Sequence, residues 1–310
     1  MPPKPWPKTI AGLPLYLGPR LGPEYSVRDH FLALEISITQ AISWGNFLNI
    51  VLEHRDIDIA RLPWKAARIP CLYLYDDETG SPRLPQPRQQ TDPTPANPDQ
   101  TQYTTLRPGM RVTSAYMPGR PDMFRATTTG VLVKDGVGNE FMTVAAPGFP
   151  GECGTDVNLA LPTGLGVVKL EPDEKFVNVM FESSQITESI PLKQLVQADK
   201  LTSGNLVVLD SPDTGCIQGT SQAQAYERVL TDDPNVPEQH QWVSTTWYYM
   251  GQDFGTNLRA GMCAGAIWTE EGDVGFFRYA PEGGMMRDWC VATAADELIN
   301  RGFTLVDTSG

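Results

Sequence analysis

Histidine is nearly absent from this chain: His30, His54 and His240 are the three among 310 residues. Imidazole is the usual proton carrier near neutral pH, so few arrangements for general-base chemistry are open. Basic side chains are also sparse. Twenty-four Lys and Arg stand against 37 Asp and Glu, a formal net charge of −13. Binding to phosphate backbones needs clustered cations, so no nucleic-acid partner is expected. Long apolar runs are missing, none approaching the ~20 residues of a spanning helix, so no membrane span is expected. Met-Pro-Pro-Lys-Pro-Trp-Pro-Lys at residues 1–8 is not followed by an apolar core, so no secretory signal is expected either. The five cysteines, Cys71, Cys153, Cys216, Cys263 and Cys290, are odd in number, scattered, and contain no Cys-x-x-Cys pair. They read as reduced thiols of an intracellular protein rather than a disulfide framework or a zinc site. No metal and no cofactor is expected; Gly164-Leu165-Gly166 lacks the third glycine and following helix of a dinucleotide loop.

What is present describes a globular chain, 41% apolar and 20% charged, long enough for one large or two medium domains. Residues 82–98 hold six prolines among Gln, Arg, Asp, Thr and Asn, a composition that cannot bury enough apolar surface to order itself. A linker over 80–105 therefore divides a region at 1–79 from one at 106–310. The first region reads as small and α+β. Leu32, Leu34, Ile36 and Ile38 alternate with Ala, Glu and Ser, which suits a strand, with a helix from Phe31 as the alternative. Trp44, Phe47, Leu48, Val51 and Leu52 recur at helical spacing, predicting a helix that runs to about Arg55, with His54 at its end capping the terminal carbonyls. A strand is expected at 68–75.

The second region reads as short strands separated by Gly, Pro, Asp and Asn: 111–116, 127–133, 140–145, 166–170, 177–181, 206–210, 242–249, 265–268 and 274–279. Many short strands without intervening amphipathic helices predict an all-β barrel or sandwich, closed by one helix at 292–300. Trp242, Trp247, Tyr248 and Tyr249 bunch on one strand and read as core and rim. Glu270, Glu271 and Asp273 read as a solvated turn, and Arg278 as either an ion-paired surface residue or a group favouring acidic ligands.

The chemistry concentrates in Gly-Met-Cys-Ala-Gly-Ala-Ile-Trp at 261–268, followed by Val274-Gly275-Phe276-Phe277. A nucleophile-type residue flanked by small residues, closing on an apolar strand, describes a tight loop that exposes a thiol and lets backbone N–H groups converge. Two further segments accompany it: Thr128-Thr129-Gly130-Val131-Leu132-Val133, and Phe141-Met142-Thr143-Val144-Ala145-Ala146 followed by Gly148-Phe149. Taken together, residues 106–310 resemble the trypsin-like, chymotrypsin-fold peptidase domains, particularly those of large, poorly characterised fungal proteins. The resemblance implies a mainly β chain: a chymotrypsin-like double β-barrel with a C-terminal helix, preceded by the small α+β region.

It also implies site residues. Cys263 stands at the nucleophile position, with the backbone N–H groups of Gly261 and Cys263 as oxyanion donors; a second alignment would put Gly265 at the nucleophile. Where the family places its histidine this chain has Pro147, which cannot accept a proton. The family's aspartate falls on Gly164, or in a second register on Asp156. The stretch between Pro147 and Lys169 is short for this family. His240, 23 residues before Cys263, lies on the wrong side of the nucleophile to serve as the family's base. Loss of the base costs on the order of 10³–10⁶-fold in rate. Two functions follow from the resemblance: a catalytically impaired peptidase homologue whose inter-barrel cleft holds a polypeptide segment, or an active endopeptidase using Cys263 with another base.

Overall fold

A computed structural model describes residues 9–10, 13–14, 23–66, 69–80, 104–117, 120–146, 157–161, 163–170, 173–180, 189–211, 215–230, 240–250, 262–281 and 289–308. The protein is mainly β, as expected, with strands curled into barrel-like sheets. Most of the expected linker, and Pro147, Asp156 and Gly261, lie outside the described residues.

The N-terminal region contains β1 (Thr9–Ile10), β2 (Leu13–Pro14), α1 (Pro23–Ala33), β3 (Ile38–Ser43), β4 (Leu48–Leu52), β5 (Lys65–Ala66) and β6 (Ile69–Tyr75). Two expectations are corrected here. The alternation from Leu32 to Ile38 does not make one strand: α1 continues through Ala33, and Glu35, at φ 57, turns the chain out of the helix into β3. The helix expected from Trp44 to Arg55 is a β-hairpin instead. Gly45 at φ 76 supplies the left-handed turn residue, Trp44 N–H donates to the Phe47 carbonyl at 3.0 Å, and β4 is buried on both faces. A strand covered on both sides carries no period of two, so its apolar run also fits helical spacing. His54 consequently caps no helix; it is exposed, 3.6 Å from Glu53.

Six strands form the first large sheet: β7 (Arg111–Met117), β8 (Arg120–Lys134), β9 (Glu140–Ala145), β10 (Val157–Ala160), β11 (Leu165–Lys169) and, from the end of the chain, β18 (Thr304–Leu305). Their order is β10-β11-β9-β8-β18, with β7 also on β8. The strand expected at 177–181 is reduced to an isolated bridge between Val179 and Pro191, and Phe181 lies outside the described residues. In place of a full strand, Asn178 acts through its side chain. Its Oδ1 accepts the Leu132 N–H, and its Nδ2 donates to the carbonyls of Leu132 and Val306, each at 2.8 Å.

The second sheet is built from β12 (Leu206–Ser211), β13 (Gly215–Leu230), β14 (His240–Tyr249), β15 (Ala266–Thr269), β16 (Gly272–Tyr279) and β17 (Trp289–Ala294). In order β12-β15-β16-β17-β14-β13 these six close into a barrel, because β13 returns to pair with β12. Val207, Leu209, Tyr248, Ile267, Phe277 and Ala292 fill its interior. The helix expected over 292–300 shrinks to α2 (Asp296–Ile299). Residues 292–294 belong to β17, where pairing with both β14 and β16 overrides helix-forming composition.

β13 joins the barrel to the N-terminal strands. Its first part, from Gly215, pairs with β12, and residues 224–227 pair with β3 along 40–43. The N-terminal strands β3, β4, β6 and β5 therefore extend the barrel's own sheet to ten strands. On the other side, one apolar cluster joins Val131, Val167 and Leu192 to Ala266, Trp268 and Phe276. This shared core sets the first sheet against the barrel and leaves a cleft at their seam.

Candidate functional site

Cys263 sits in the turn that leads into β15. Gly265 N–H donates to the Met262 carbonyl at 2.8 Å, Ala264 N–H to the Phe277 carbonyl at 2.7 Å, and Phe277 N–H to the Gly265 carbonyl at 2.8 Å. These bonds hold Ala264 at φ 72, a left-handed conformation that costs an alanine roughly 1–2 kcal/mol. Gly130 makes room for the turn. A Cβ there would lie 2.8 Å from the Ala264 carbonyl oxygen and 2.0 Å from Thr143 Oγ1, so only glycine admits this approach. Gly265 points into packing; a Cβ on it would stand 3.0 Å from the Met262 carbonyl oxygen and 3.3 Å from Leu209 Cδ1.

Beside the turn lies a cavity of about 30 Å³, room for one or two waters by volume. The first sheet contributes Ala145, Thr163, Gly164 and Leu165 to its wall, and the barrel contributes Cys263, Ala264, Phe276, Phe277, Arg278 and Thr293. The segments that carry the family resemblance therefore converge here. Ala146 N–H donates to the Gly164 carbonyl at 2.7 Å, and Gly164, at φ 81, is the turn residue of the β10–β11 hairpin. The cleft brings Gly164 and Cys263 together; Pro147 and Gly261 lie outside the described residues. His240 is exposed at the start of β14 and is not among the lining residues.

Among the lining residues, Cys263 and Arg278 are the ionisable ones. The half-buried Cys263 thiol donates to the Arg278 carbonyl at 3.1 Å, a bond that exists only while sulfur keeps its proton. Arg278 falls in a bulge between Phe277 and Tyr279 on β16. Its side chain is buried rather than an ion-paired surface group. It is 6% exposed, and Nη1 is 2.5 Å from Glu227 Oε2 of β13, while Nη2 has no hydrogen-bond partner. Burial pushes the Glu227 carboxyl up, against the opposing pull of the Arg278 guanidinium. Glu227 carried no signal in the sequence, because it lies 51 residues from Arg278 and only the sheet brings the two together.

The acidic run after β15 divides. Glu270 and Glu271 are exposed as expected, but Asp273 is fully buried. Its Oδ1 accepts the Gly275 N–H at 3.0 Å, its Oδ2 has no partner, and burial pushes its carboxyl well above the usual range. Trp247 and Tyr248 are core residues, Trp242 and Tyr249 half-buried. Among the described residues no His, Cys, Asp and Glu gather as a metal-binding group, and no helix is long and apolar enough to cross a membrane.

No family model and no curated protein matches this chain. Among solved structures it is similar to the protease of Nocardiopsis, 15% identical with a TM-score of 0.42 over 65% of this chain and 98% of that one. It is likewise similar to protease A of Thermobifida fusca, 13% identical with a TM-score of 0.41 over 65% and 98%. A glutamic acid-specific serine protease is 11% identical with a TM-score of 0.42 over 65% and 100%. Likeness of this extent carries no argument about activity or site residues.

Proposed function

We propose that this chain is a catalytically impaired homologue of trypsin-like peptidases whose cleft between the two sheets binds a polypeptide segment. The observation that carries this reading is the composition of the Cys263 cavity. Nucleophilic attack by a thiol needs a group to take its proton. Among the described residues, the only other ionisable side chain on the wall is Arg278, and a guanidinium does not accept protons. The closed six-stranded barrel beside a second curled sheet, and the nucleophile-like turn at their seam, support descent from a peptidase architecture.

A second reading, an endopeptidase using Cys263, is favoured by the thiol's half-buried place on the cavity wall. The binding reading is tested with an immobilised peptide library and the variant Cys263→Phe, whose ring overfills the cavity. Binding by the wild type that falls at least tenfold in the variant, with an unchanged circular dichroism spectrum, is the expected result. Equal binding by both proteins would remove the cleft from the account.

A further inference from the structure

The N-terminal strands reach the cleft through a connected set of polar contacts. β3 pairs with β13 so that Gln40 lies opposite Glu227. At this point the sheet continues past the barrel, and Glu227 is 9% exposed. Glu227 grips Arg278, and the Arg278 carbonyl accepts the Cys263 thiol. Asp76, in the turn directly after β6, accepts from Thr39 of β3 at 2.8 Å, and its charge pushes the Glu227 carboxyl further up. Tyr279, next to Arg278, pulls the Glu227 carboxyl down, as Arg278 does.

The neighbouring residue of β13 faces the other way and ties the N-terminal sheet down. Arg228 Nη2 is 2.5 Å from Glu53 Oε1, and its Nη1 donates to Ser37 Oγ at 3.1 Å. Adjacent residues of one strand point to opposite faces. Glu227 therefore meets Arg278 on one face while Arg228, on the other, anchors the sheet that pairs beside it. Loosening β3 would expose Glu227 to water, weaken its hold on a buried guanidinium, and release the bulged backbone that carries the Arg278 carbonyl.

We propose that the sheet β3–β6 is a built-in regulator of the Cys263 cleft, acting through the Glu227–Arg278 pair on the carbonyl that holds the thiol. The inference rests on the reading of this cleft as the functional site, and concerns how that site is held closed. Anything that lifts the N-terminal sheet from β13 would unlatch the thiol and open the cavity.

The protein carries its own reporters. Cys71 lies in β6 of the N-terminal sheet, Cys263 in the cleft, and Cys290 is fully buried inside the barrel. Iodoacetamide labelling of the full chain at one fixed pH, resolved by peptide mass spectrometry, gives a rate for each. Arg228→Ala loosens the sheet, and Glu227→Gln cuts the link. In both, Cys263 is expected to label about fivefold faster or more, the effect of losing one ordinary hydrogen bond, while Cys290 stays at its wild-type rate. Cys71 is expected to accelerate in Arg228→Ala alone. If Glu227→Gln also accelerates Cys290, the double variant Glu227→Gln with Arg278→Met removes both buried charges and keeps the carbonyl. It is expected to show the Cys263 acceleration by itself. A Cys263 rate within twofold of wild type in Arg228→Ala, or in the variant that cuts the link, overturns the proposal. Peptide binding and cleavage play no part in this readout, so its failure would leave the functional reading standing, and the reverse.

Discussion

Asp273 is the residue whose chemistry departs furthest from its place in the sequence. It follows Glu270, Glu271 and Gly272 in what reads as a solvated hairpin tip, yet it is fully buried with Oδ2 unpartnered. The cause is tertiary. Its backbone is stitched to the segment between the two sheets: Asp273 N–H donates to the Gln194 carbonyl at 3.0 Å, and the Asp273 carbonyl accepts the Val196 N–H at 2.7 Å. That crossing drives the side chain inward, and no local pattern announces it. Because burial raises its folded-state value above the unfolded one, its contribution to stability is complete below about pH 3.9 and is lost as pH rises through the folded value. Asp273→Asn keeps the shape and removes the ionisation. It is expected to stabilise the protein by about 1 kcal/mol or more at pH 7 and to be near neutral at pH 4, measured by urea denaturation at both pH values. Gly130 shows the opposite kind of legibility. A glycine inside an apolar strand already hints at a close backbone approach, and the Ala264 carbonyl is what approaches.

At the scale of elements, the sequence is most legible where a short strand pattern is bounded by Gly, Pro, Asp or Asn. The strands expected at 111–116, 127–133, 140–145, 206–210 and 242–249 match β7, β8, β9, β12 and β14, most extending a few residues further. Legibility fails where an apolar run also fits helical spacing or where pairing is distant. β4, buried throughout and preceded by Trp44 and Phe47 at helical spacing, is the first case. β13 was missed for the second: Gly215–Leu230 mixes Gln, Ser, Thr and Ala, and it becomes a strand because β12, β14 and β3 all pair with it. Near the C-terminus the same distance effect appears in one side chain, since Asn178 joins β8 to Val306 across 128 residues of chain. Asn178→Ala would strip the buried Leu132 N–H and the Val306 carbonyl of these partners, while the Leu132 carbonyl keeps the Val306 N–H. Each such group costs about 1–3 kcal/mol, so a loss of at least about 2 kcal/mol is expected. Hydrogen exchange should quicken at β18 and the C-terminal half of β8 before it does in the barrel of β12–β17.

For the whole molecule, the barrel and the N-terminal strands β3–β6 form one continuous ten-stranded sheet, and a shared apolar cluster packs the separate six-stranded sheet against the barrel. The cleft's position was legible from the Cys263 turn and its companion segments, because those motifs are local and the seam of the two sheets gathers them. Its electrostatics were not legible. The partner of Arg278 and the tether between β13 and β3 exist only once the sheet is assembled. The central claim is that this cleft retains a thiol without a working base, and its most direct test is turnover. Wild type and Cys263→Ala are incubated with a broad peptide library at neutral pH under reducing conditions, and cleavage products are quantified by mass spectrometry. The account predicts equal, background-level cleavage by the two proteins. Cleavage by the wild type that disappears in Cys263→Ala would contradict it.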